Sequence, residues 1–451
     1  MDTLSPPAPG ASATRLRLIA IAIALGAPLL AWLASDLIGY RGQAAGGAIC
    51  FIAVVAACST DLSKVNWRTV IWGMVLQVGF ALFILKFQVG GRRTGYEFFS
   101  AIARGVSRFL QFTDAGAGFV FGVLANPAKM GQVFGADSGL VFAFAALPTI
   151  IFISSFFTVL YYFGVLQFVV RIMARAMMSL MRTSGAETLS AAANVFMGQT
   201  EAPIIVKPFV PTMTRSELLA MMVGGMATIA GGVMAVYIAL GADPVAILTT
   251  SVMAAPCGLY LSKLIVPETE VPVTSGSAPV VVEKLHVNVI DAAASGASDG
   301  MQLAINVAAM LIAFLAFIAL IDFLLGVMHP GLTLSSIFAV IFSPVAFLMG
   351  VPRADIGPMG DLLGTKLVAN EFVAFVKLTG QYKSVLSPRS YVLATYALTG
   401  FANIASIGIQ LGGIGGMAPN RRHDIARLGA RALLAGFLAT LVNACVASML
   451  L

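Results

Sequence analysis

Two glutamates stand within apolar stretches of the sequence, and each has an amide side chain close by. Glu201 follows Gln199 by two positions, and Glu371 comes directly after Asn370. A carboxylate beside an amide can exchange hydrogen bonds with the hydroxyl and amide groups of a polar ligand. A pair of carboxylates can also serve as acid and base in an enzyme. Because a charged group in apolar surroundings is costly, both glutamates are candidate ligand-binding residues.

The composition around these residues is that of a membrane protein. The chain has 451 residues, of which 59% are hydrophobic and 10% are charged, and its mean hydropathy is +0.93. Soluble domains carry about 25% charged residues, so a soluble enzyme is excluded. The apolar residues form long continuous runs rather than the short alternating segments of a β-barrel. This pattern predicts an all-α polytopic membrane protein.

Neither the net charge nor the cysteines and histidines indicate a second binding site. The net charge is +7, but the basic residues cluster in short loops between apolar runs, as orientation signals do. No nucleic-acid partner is therefore predicted. The four cysteines lie inside apolar stretches and the three histidines are scattered. Since no nucleophile motif, metal cluster or phosphate-binding loop accompanies the glutamates, we expect neither an enzyme nor a bound cofactor.

The segments that carry the glutamates do not have the pattern of ordinary membrane spans. Residues 190–209 and 364–375 are too apolar for loops, yet glycine, proline and polar residues interrupt their centres. This pattern is typical of re-entrant hairpins, which enter and leave the membrane on one side and need protein or water around them. The alternative is that the glutamates only form structural ion pairs with Lys207 and Lys366.

Each predicted hairpin is followed by a second interrupted segment and then by a complete helix. The interruptions fall near Thr228 and Asn403, which are 175 positions apart, while Glu201 and Glu371 are 170 positions apart. The same order of elements thus occurs twice at nearly the same offset. Such inverted repeats, with broken helices around a site at the membrane midplane, are typical of secondary transporters. The ends of half-helices present partial charges that suit a polar substrate.

Four motifs in these segments resemble the concentrative nucleoside transporters. The motifs are GQTEAP at 198–203, ATIAGG at 227–232, GTKLVANEFVA at 364–374 and GFANIASI at 400–407. The third motif fits the G-x-K-x-x-x-N-E-F-x-A signature of that family. The similarity extends over about residues 46–451 and is to bacterial, sodium-coupled members, with the helix near 16–37 as an addition.

The resemblance implies an elevator-type transporter, in which a trimeric scaffold stays fixed while a transport domain carries its site across the membrane. It implies a multi-pass homotrimer of the bacterial cytoplasmic membrane that imports nucleosides with sodium as the coupling ion. The scaffold would include the helices near 140–170 and 303–327. The expected segments are a disordered tail (1–14), an extra N-terminal transmembrane helix (15–38), scaffold helices with an interfacial helix (39–180), the first transport-domain repeat (181–270), a loop with a scaffold helix (271–332) and the second transport-domain repeat (333–451).

The resemblance also implies particular binding residues. The substrate residues would be Gln199, Thr200 and Glu201 facing the nucleobase, Val233 and Phe401 packing on its flat faces, and Glu371, Asn403 and Ser406 holding the ribose hydroxyls. The sodium ligands would be the side chains of Asn194 and Thr228 and the main-chain carbonyls of Met197 and Ile229. Gln and Glu match the donors and acceptors of a base, and an ionised carboxylate beside an amide suits vicinal hydroxyls.

Simpler roles remain open for several of these residues. Asn194 has the residue type of a helix cap. The hydroxyls of Thr200 and Ser406 could bond only to their own backbone, and Val233 could be ordinary packing.

Three other activities are alternatives to sodium–nucleoside symport. The first is proton-coupled transport of nucleosides or of another polar metabolite. The second is an intramembrane enzyme that uses both glutamates, and the third is a channel. Closed hairpins disfavour a continuous pore, and no further catalytic motif supports the enzyme.

Overall fold

A computed structural model of the chain describes residues 11–134, 141–145, 147–276 and 286–451. These residues are nearly all helical, and no strand occurs among them. The helices are α1 (Ala11–Leu33), α2 (Ser35–Ala57), α3 (Trp67–Leu85), α4 (Thr94–Leu110), α5 (Thr113–Phe121), α6 (Pro127–Phe134), α7 (Phe142–Ala145), α8 (Leu147–Tyr162), α9 (Val165–Met181), α10 (Gly185–Ala193), α11 (Arg215–Ala227), α12 (Gly231–Leu240), α13 (Pro244–Ile265), α14 (Val289–Met328), α15 (Leu334–Leu348), α16 (Ile356–Val368), α17 (Glu371–Thr379), α18 (Pro388–Leu398), α19 (Ile404–Met417) and α20 (Arg422–Leu450).

Several helices are long and apolar enough to cross a membrane. Within the described ranges there are seven such helices, or eight if one bent pair forms a single span. The seven are in the regions Ala13–Leu33, Ser35–Ala57, Trp67–Leu85, Arg215–Leu240, Pro244–Ile265, Val289–Met328 and Pro419–Leu450. The chain is therefore a multi-pass membrane protein, as its composition predicts.

The N-terminal helix has different limits from those expected. Residues 1–10 of the predicted tail lie outside the described residues, and α1 already begins at Ala11 rather than at residue 15. The helix extends to Ala11 because the prolines of the tail end at Pro9 and the intervening residues tolerate helix. It ends at Leu33 instead of residue 38, since α2 starts at Ser35.

The apolar region near residues 140–170 contains a bent pair of helices. Helices α8 and α9 meet at an angle of 73°. Gly164 lies at the junction with φ of +75°, a left-handed conformation that glycine adopts without steric cost. The bend separates α8 from α9, which runs towards α10.

Helices α8 and α14 form one closely packed pair. Gly296 and Gly300 of α14 face α8, where a Cβ atom added to Gly300 would lie 2.7 Å from the Cα atom of Ile151. Small residues four apart allow two membrane helices to approach this closely. Much of the rest of α14 exposes apolar side chains such as Ile312 and Phe323.

Helices α2 and α3, which fall in the range 39–180 expected to form the scaffold, pack against α13, α15 and α20. The α3 residue Gln77 donates a hydrogen bond to Asn443 of α20 over 2.6 Å, and a Cβ atom on Gly73 would lie 2.8 Å from Tyr260 of α13. A Cβ atom on Gly47 of α2 would meet the carbonyl of Leu348. These buried contacts place α2 and α3 with α13 and α20 rather than with the α8–α14 pair.

Candidate functional site

Hairpin 1 consists of α10 and the 3₁₀ segment Ala202–Thr212, joined by a tip at residues 194–201. Helix α10 begins at Gly185, and Ser184 before it forms a capping box with Glu187. Prolines within the second arm disfavour regular α-helix there. At the tip, Glu201 Oε2 accepts a hydrogen bond from the Gly198 backbone N–H over 3.1 Å. The interruption predicted in the first apolar segment is therefore a folded tip, in which a backbone N–H group holds the Glu201 carboxylate.

Hairpin 2 consists of α16 and α17, which are separated by Ala369 and Asn370. Asn370 Oδ1 accepts a hydrogen bond from the Val373 backbone N–H over 2.8 Å. This interaction caps α17, so that Glu371 is the first residue of the helix. A carboxylate at a helix N-terminus is favoured by the partial positive charge there.

The two broken helices meet at their interruptions. Helix α11 ends at Ala227 and α12 begins at Gly231, while α18 ends at Leu398 and α19 begins at Ile404. The Phe401 backbone N–H donates a hydrogen bond to the Thr228 carbonyl over 3.1 Å. The backbone N–H group of one interruption thus satisfies the carbonyl of the other. Backbone groups inside a membrane protein need such partners because lipid offers none.

The tips of both hairpins and both broken helices surround one cavity of about 180 Å³. The eight substrate residues named from the sequence all line it, namely Gln199, Thr200, Glu201, Val233, Glu371, Phe401, Asn403 and Ser406. Helix α14 closes another side with Leu303, Val307, Met310 and Leu311. The cavity therefore combines polar groups from both repeats with an apolar wall from α14.

The Glu371 carboxylate is held from two sides. Asn403 Nδ2 donates to Glu371 Oε2 over 2.9 Å, and the Tyr237 hydroxyl donates to Glu371 Oε1 over 3.2 Å. Asn403 Oδ1 also accepts from the Ser406 backbone N–H over 2.9 Å, which caps α19. The sequence reasoning missed Tyr237, although its position one helical turn after Val233 on α12 could have indicated it.

The other end of the cavity carries an amide and a second carboxylate. Gln199 Nε2 donates a hydrogen bond to Ser406 Oγ over 3.2 Å. Gln199 Oε1 is buried and has no hydrogen-bond partner among the described residues, and Glu201 is exposed to the cavity. This end therefore offers the unpartnered Gln199 Oε1 atom beside the Glu201 carboxylate, and a ligand with N–H groups would satisfy Gln199 Oε1.

The alternative role of the glutamates as ion-pair partners of lysines does not match the geometry. Lys207 is exposed, and within the described part of the chain neither Lys207 nor Lys366 forms an ion pair with Glu201 or Glu371. The Lys366 ammonium instead donates to the Ala397 carbonyl and to the Thr440 hydroxyl. Both glutamates therefore keep carboxylate oxygens directed at the cavity.

The segments that carry the expected sodium ligands are joined where hairpin 1 touches the α11–α12 interruption. The Gly231 backbone N–H donates to the Phe196 carbonyl over 3.0 Å, which joins the two segments. Asn194 is fully buried, and its Oδ1 atom has no hydrogen-bond partner within the described ranges. A buried, unpartnered oxygen is costly unless a ligand satisfies it, and a cation is suited to do so.

The Thr228 hydroxyl is also available to the same ion. The Thr228 hydroxyl donates to the Gly224 carbonyl over 2.9 Å, so that its lone pairs stay available. Asn194 Nδ2 donates to the Ser190 carbonyl over 3.0 Å; the amide thus caps its own helix through nitrogen and leaves its oxygen free. No group of three or more His, Cys, Asp or Glu side chains that could hold a metal occurs in the described ranges.

Models of known protein families match the segments that form the site. Three family models match: the Na⁺ dependent nucleoside transporter N-terminus at residues 46–124, the nucleoside recognition (Gate) domain at residues 143–244 and the Na⁺ dependent nucleoside transporter C-terminus at residues 246–448. Together they cover both hairpins and both broken helices.

Individual relatives are similar over most of the chain. An uncharacterized transporter of Haemophilus influenzae is 43% identical, over 89% of this chain and 96% of its own. Sodium/nucleoside cotransporter 1 of Mus musculus is 40% identical, over 95% of this chain and 67% of its own. The structure of CNTnw in an inward-facing substrate-bound state has a TM-score of 0.85 and 41% identity, over 90% of this chain and 97% of its own. This chain therefore belongs to the Na⁺ dependent nucleoside transporter family.

Proposed function

We propose that this protein is a sodium-driven symporter that imports nucleosides across the cytoplasmic membrane by an elevator mechanism. The main support for the proposal is a cavity in which polar residues of both hairpin tips and both broken helices meet. A transporter of this family is not an enzyme, and the glutamates serve as binding groups.

In the proposed binding mode the ribose lies against Glu371. Its carboxylate would accept hydrogen bonds from ribose hydroxyls, while Asn403 and Ser406 complete this side of the cavity. The bonds from Asn403 and Tyr237 hold the carboxylate in place before the substrate arrives. Binding therefore does not have to order this side chain, which favours affinity.

The nucleobase would lie at the other end of the cavity. Gln199 Oε1 lacks a protein partner, and together with Glu201 it would accept hydrogen bonds from the base, with Thr200 as a further polar neighbour. Val233 and Phe401 line the same cavity and would pack on the flat faces of the base.

Sodium is the coupling ion in this proposal. Asn194 Oδ1, the Thr228 hydroxyl and the carbonyls of Met197 and Ile229 would bind it, since hard cations prefer such oxygen ligands. The ion would thereby tie hairpin 1 to the α11–α12 interruption, next to Gln199. Because the same hairpin tip contributes to the nucleoside site, binding of one solute would strengthen binding of the other.

Packing supports a division into two bodies. The α8–α14 pair would be the scaffold, and both hairpins with the broken helices, α13 and α20 would move as the transport domain. We place α2 and α3 in the moving body because of their contacts with α13 and α20. The exposed apolar face of α14 fits a homotrimer embedded in lipid, and α1 would be a peripheral addition on α2.

Uptake into proteoliposomes tests this function. Purified protein would be reconstituted, and radiolabelled uridine uptake measured with an inward sodium gradient or an inward proton gradient imposed separately. The proposal expects concentrative, saturable uptake with the sodium gradient alone. Uptake that responds only to the proton gradient would instead support a proton-coupled transporter, and release of a chemically altered uridine would support an enzyme.

A further inference from the structure

Gln410 is a fully buried glutamine of the apolar helix α19, and it is not among the residues that line the nucleoside cavity. Its Nε2 atom donates a hydrogen bond to the Met222 carbonyl of α11 over 2.9 Å, across 188 positions of the chain. Its Oε1 atom is buried and has no hydrogen-bond partner among the residues that the structure describes. A buried acceptor without a donor is costly, so a donor that reached this oxygen atom would stabilise the protein.

Gln410 lies next to Gln199, which faces the cavity from the tip of hairpin 1. A Cβ atom added to Gly225 of α11 would lie 3.0 Å from Gln410 Nε2 and 2.7 Å from Gln199 Cβ, so both side chains pack against the same point of α11. Gln199 also reaches α19 one helical turn before Gln410, because its Nε2 atom donates to Ser406 Oγ over 3.2 Å. The Gln199 amide group thus lies beside two residues on one face of α19.

The hydrogen bonds among these three side chains leave two acceptors without donors. Gln199 Nε2 bonds to Ser406 Oγ, whereas Gln199 Oε1 and Gln410 Oε1 have no partner within the described ranges. The same bond uses an acceptor position of the Ser406 hydroxyl, which the proposed function assigns to the ribose. If Gln199 Nε2 bonded to Gln410 Oε1 instead, the Ser406 oxygen would regain that position for the sugar.

We infer that Gln410 is a second partner of Gln199 and accepts a hydrogen bond from its amide nitrogen when a nucleoside binds. The inference rests on the proposed function and deepens it. A base N–H group bonds to Gln199 Oε1, the amide nitrogen moves from Ser406 Oγ to Gln410 Oε1, and the Ser406 hydroxyl bonds to the ribose. The last side-chain torsion of glutamine is broad, which favours such a rotation. Both unpartnered oxygen atoms gain a donor in this rearrangement.

Gln410 is therefore a positioning residue, which does not touch the nucleoside but couples the recognition of its two halves. A base that engages Gln199 releases Ser406 for the ribose, and a ribose that engages Ser406 displaces the Gln199 amide towards Gln410. The contacts to the base and to the sugar then strengthen each other. This coupling favours complete nucleosides over compounds that carry only one of the two groups.

Competition binding with modified uridines tests the coupling. Purified wild-type protein in saturating sodium would bind radiolabelled uridine in competition with uridine, 3-methyluridine, 2′,3′-dideoxyuridine or the analogue that carries both changes. Methylation removes the N–H group of the base, and the dideoxy sugar lacks the vicinal hydroxyls. In the wild type, the combined loss of affinity should be at least about fivefold smaller than the product of the two single losses.

Gln410→Met removes the second acceptor and keeps a side chain of similar length. In this variant the combined loss should equal the product of the single losses to within about twofold. Gln167→Met is the matched control. Gln167 is also buried, donates to the Tyr161 carbonyl over 2.8 Å and has an Oε1 atom without a partner among the described residues, but it lies on α9 and does not line the cavity. This control should keep the wild-type coupling.

Independent losses in the wild type would overturn the inference, and so would coupling that persists in Gln410→Met or disappears in Gln167→Met. If Gln410→Met does not fold or binds no uridine, a density map of the wild type with uridine decides. A Gln199 amide within hydrogen-bond distance of Gln410 would support the inference, and an amide that stays on Ser406 would overturn it. Failure of the proposed function would look different, since the wild type would then bind no uridine in sodium.

Discussion

Asn403 Nδ2 donates a hydrogen bond of 2.9 Å to Glu371 Oε2 and so joins the tip of hairpin 2 to the start of α19. Both residues are nearly fully buried, and each also caps or begins a helix. Two interruptions of the helical backbone thus create the polar end of the cavity.

Replacing Glu371 with Gln should abolish uridine uptake while the protein still folds. The substitution removes the charge that accepts ribose hydroxyls, and hydrogen bonds to a charged group contribute about 1.5–3 kcal/mol each. Two such bonds predict a loss of at least about 100-fold in initial uptake rate. Glu270→Gln, an exposed substitution in a loop, is the control; uptake at the wild-type rate in Glu371→Gln would remove this residue from the site.

Asn194→Ala should weaken the sodium dependence of uptake. The substitution removes the buried Oδ1 atom that has no protein partner among the described residues. We expect the half-saturating sodium concentration to rise at least about tenfold, which corresponds to about 1.4 kcal/mol of lost ion binding. Asn420→Ala, an exposed change before α20, should leave the sodium titration unchanged. The ion site is wrongly placed if Asn194→Ala keeps the full response to a sodium gradient.

Gly225→Ala should displace the tip of hairpin 1 from α11. A Cβ atom at this position would lie 2.7 Å from the Cβ atom and 3.0 Å from the Cα atom of Gln199. Overpacking of this kind costs about 1–3 kcal/mol, and we expect uridine affinity to fall about tenfold or more in equilibrium binding. Gly408→Ala is the control, because no atom lies within 4 Å of its added Cβ atom. Equal affinities of the two variants would contradict the close packing of the tip.

A disulfide between the proposed scaffold and the moving body should stop transport reversibly. A Cβ atom on Gly232 of α12 would lie 3.6 Å from Ile153 Cγ2 of α8, so the two side chains would be in contact and a disulfide between these positions can be tested. The double variant Ile153→Cys and Gly232→Cys, with the exposed Cys58 replaced by Ser, should lose uptake on oxidation and regain it on reduction. Each single variant should transport under both conditions; full uptake by the crosslinked protein would argue against relative motion of the two bodies.

The two glutamates could be singled out from the sequence because polar residues inside apolar runs are rare. Glu201 and Glu371 interrupt such runs, and their cost in a membrane indicates function. The bonds that hold Glu371 could not be predicted in the same way. Tyr237 lies in an apolar helix, where an aromatic residue is usually only packing, and its bond to Glu371 spans 134 positions.

Packing between distant helices was the least predictable part of the fold. The expected grouping of residues 39–180 followed their order in the chain, whereas Gln77 of α3 bonds to Asn443 of α20 across 366 positions. The bend at Gly164 could not be predicted either, since a single glycine within a long apolar run is compatible with a continuous helix. Apolar helices of similar length give no sequence signal for their neighbours, because lipid and protein surroundings favour the same residues.

A density map of the protein purified with sodium and uridine tests the central claim most directly. We predict ligand density in the cavity between the two hairpin tips, with the ribose against Glu371 and the base against Gln199 and Glu201. Uridine density elsewhere, or either hairpin segment crossing the membrane as a continuous helix, would contradict the account.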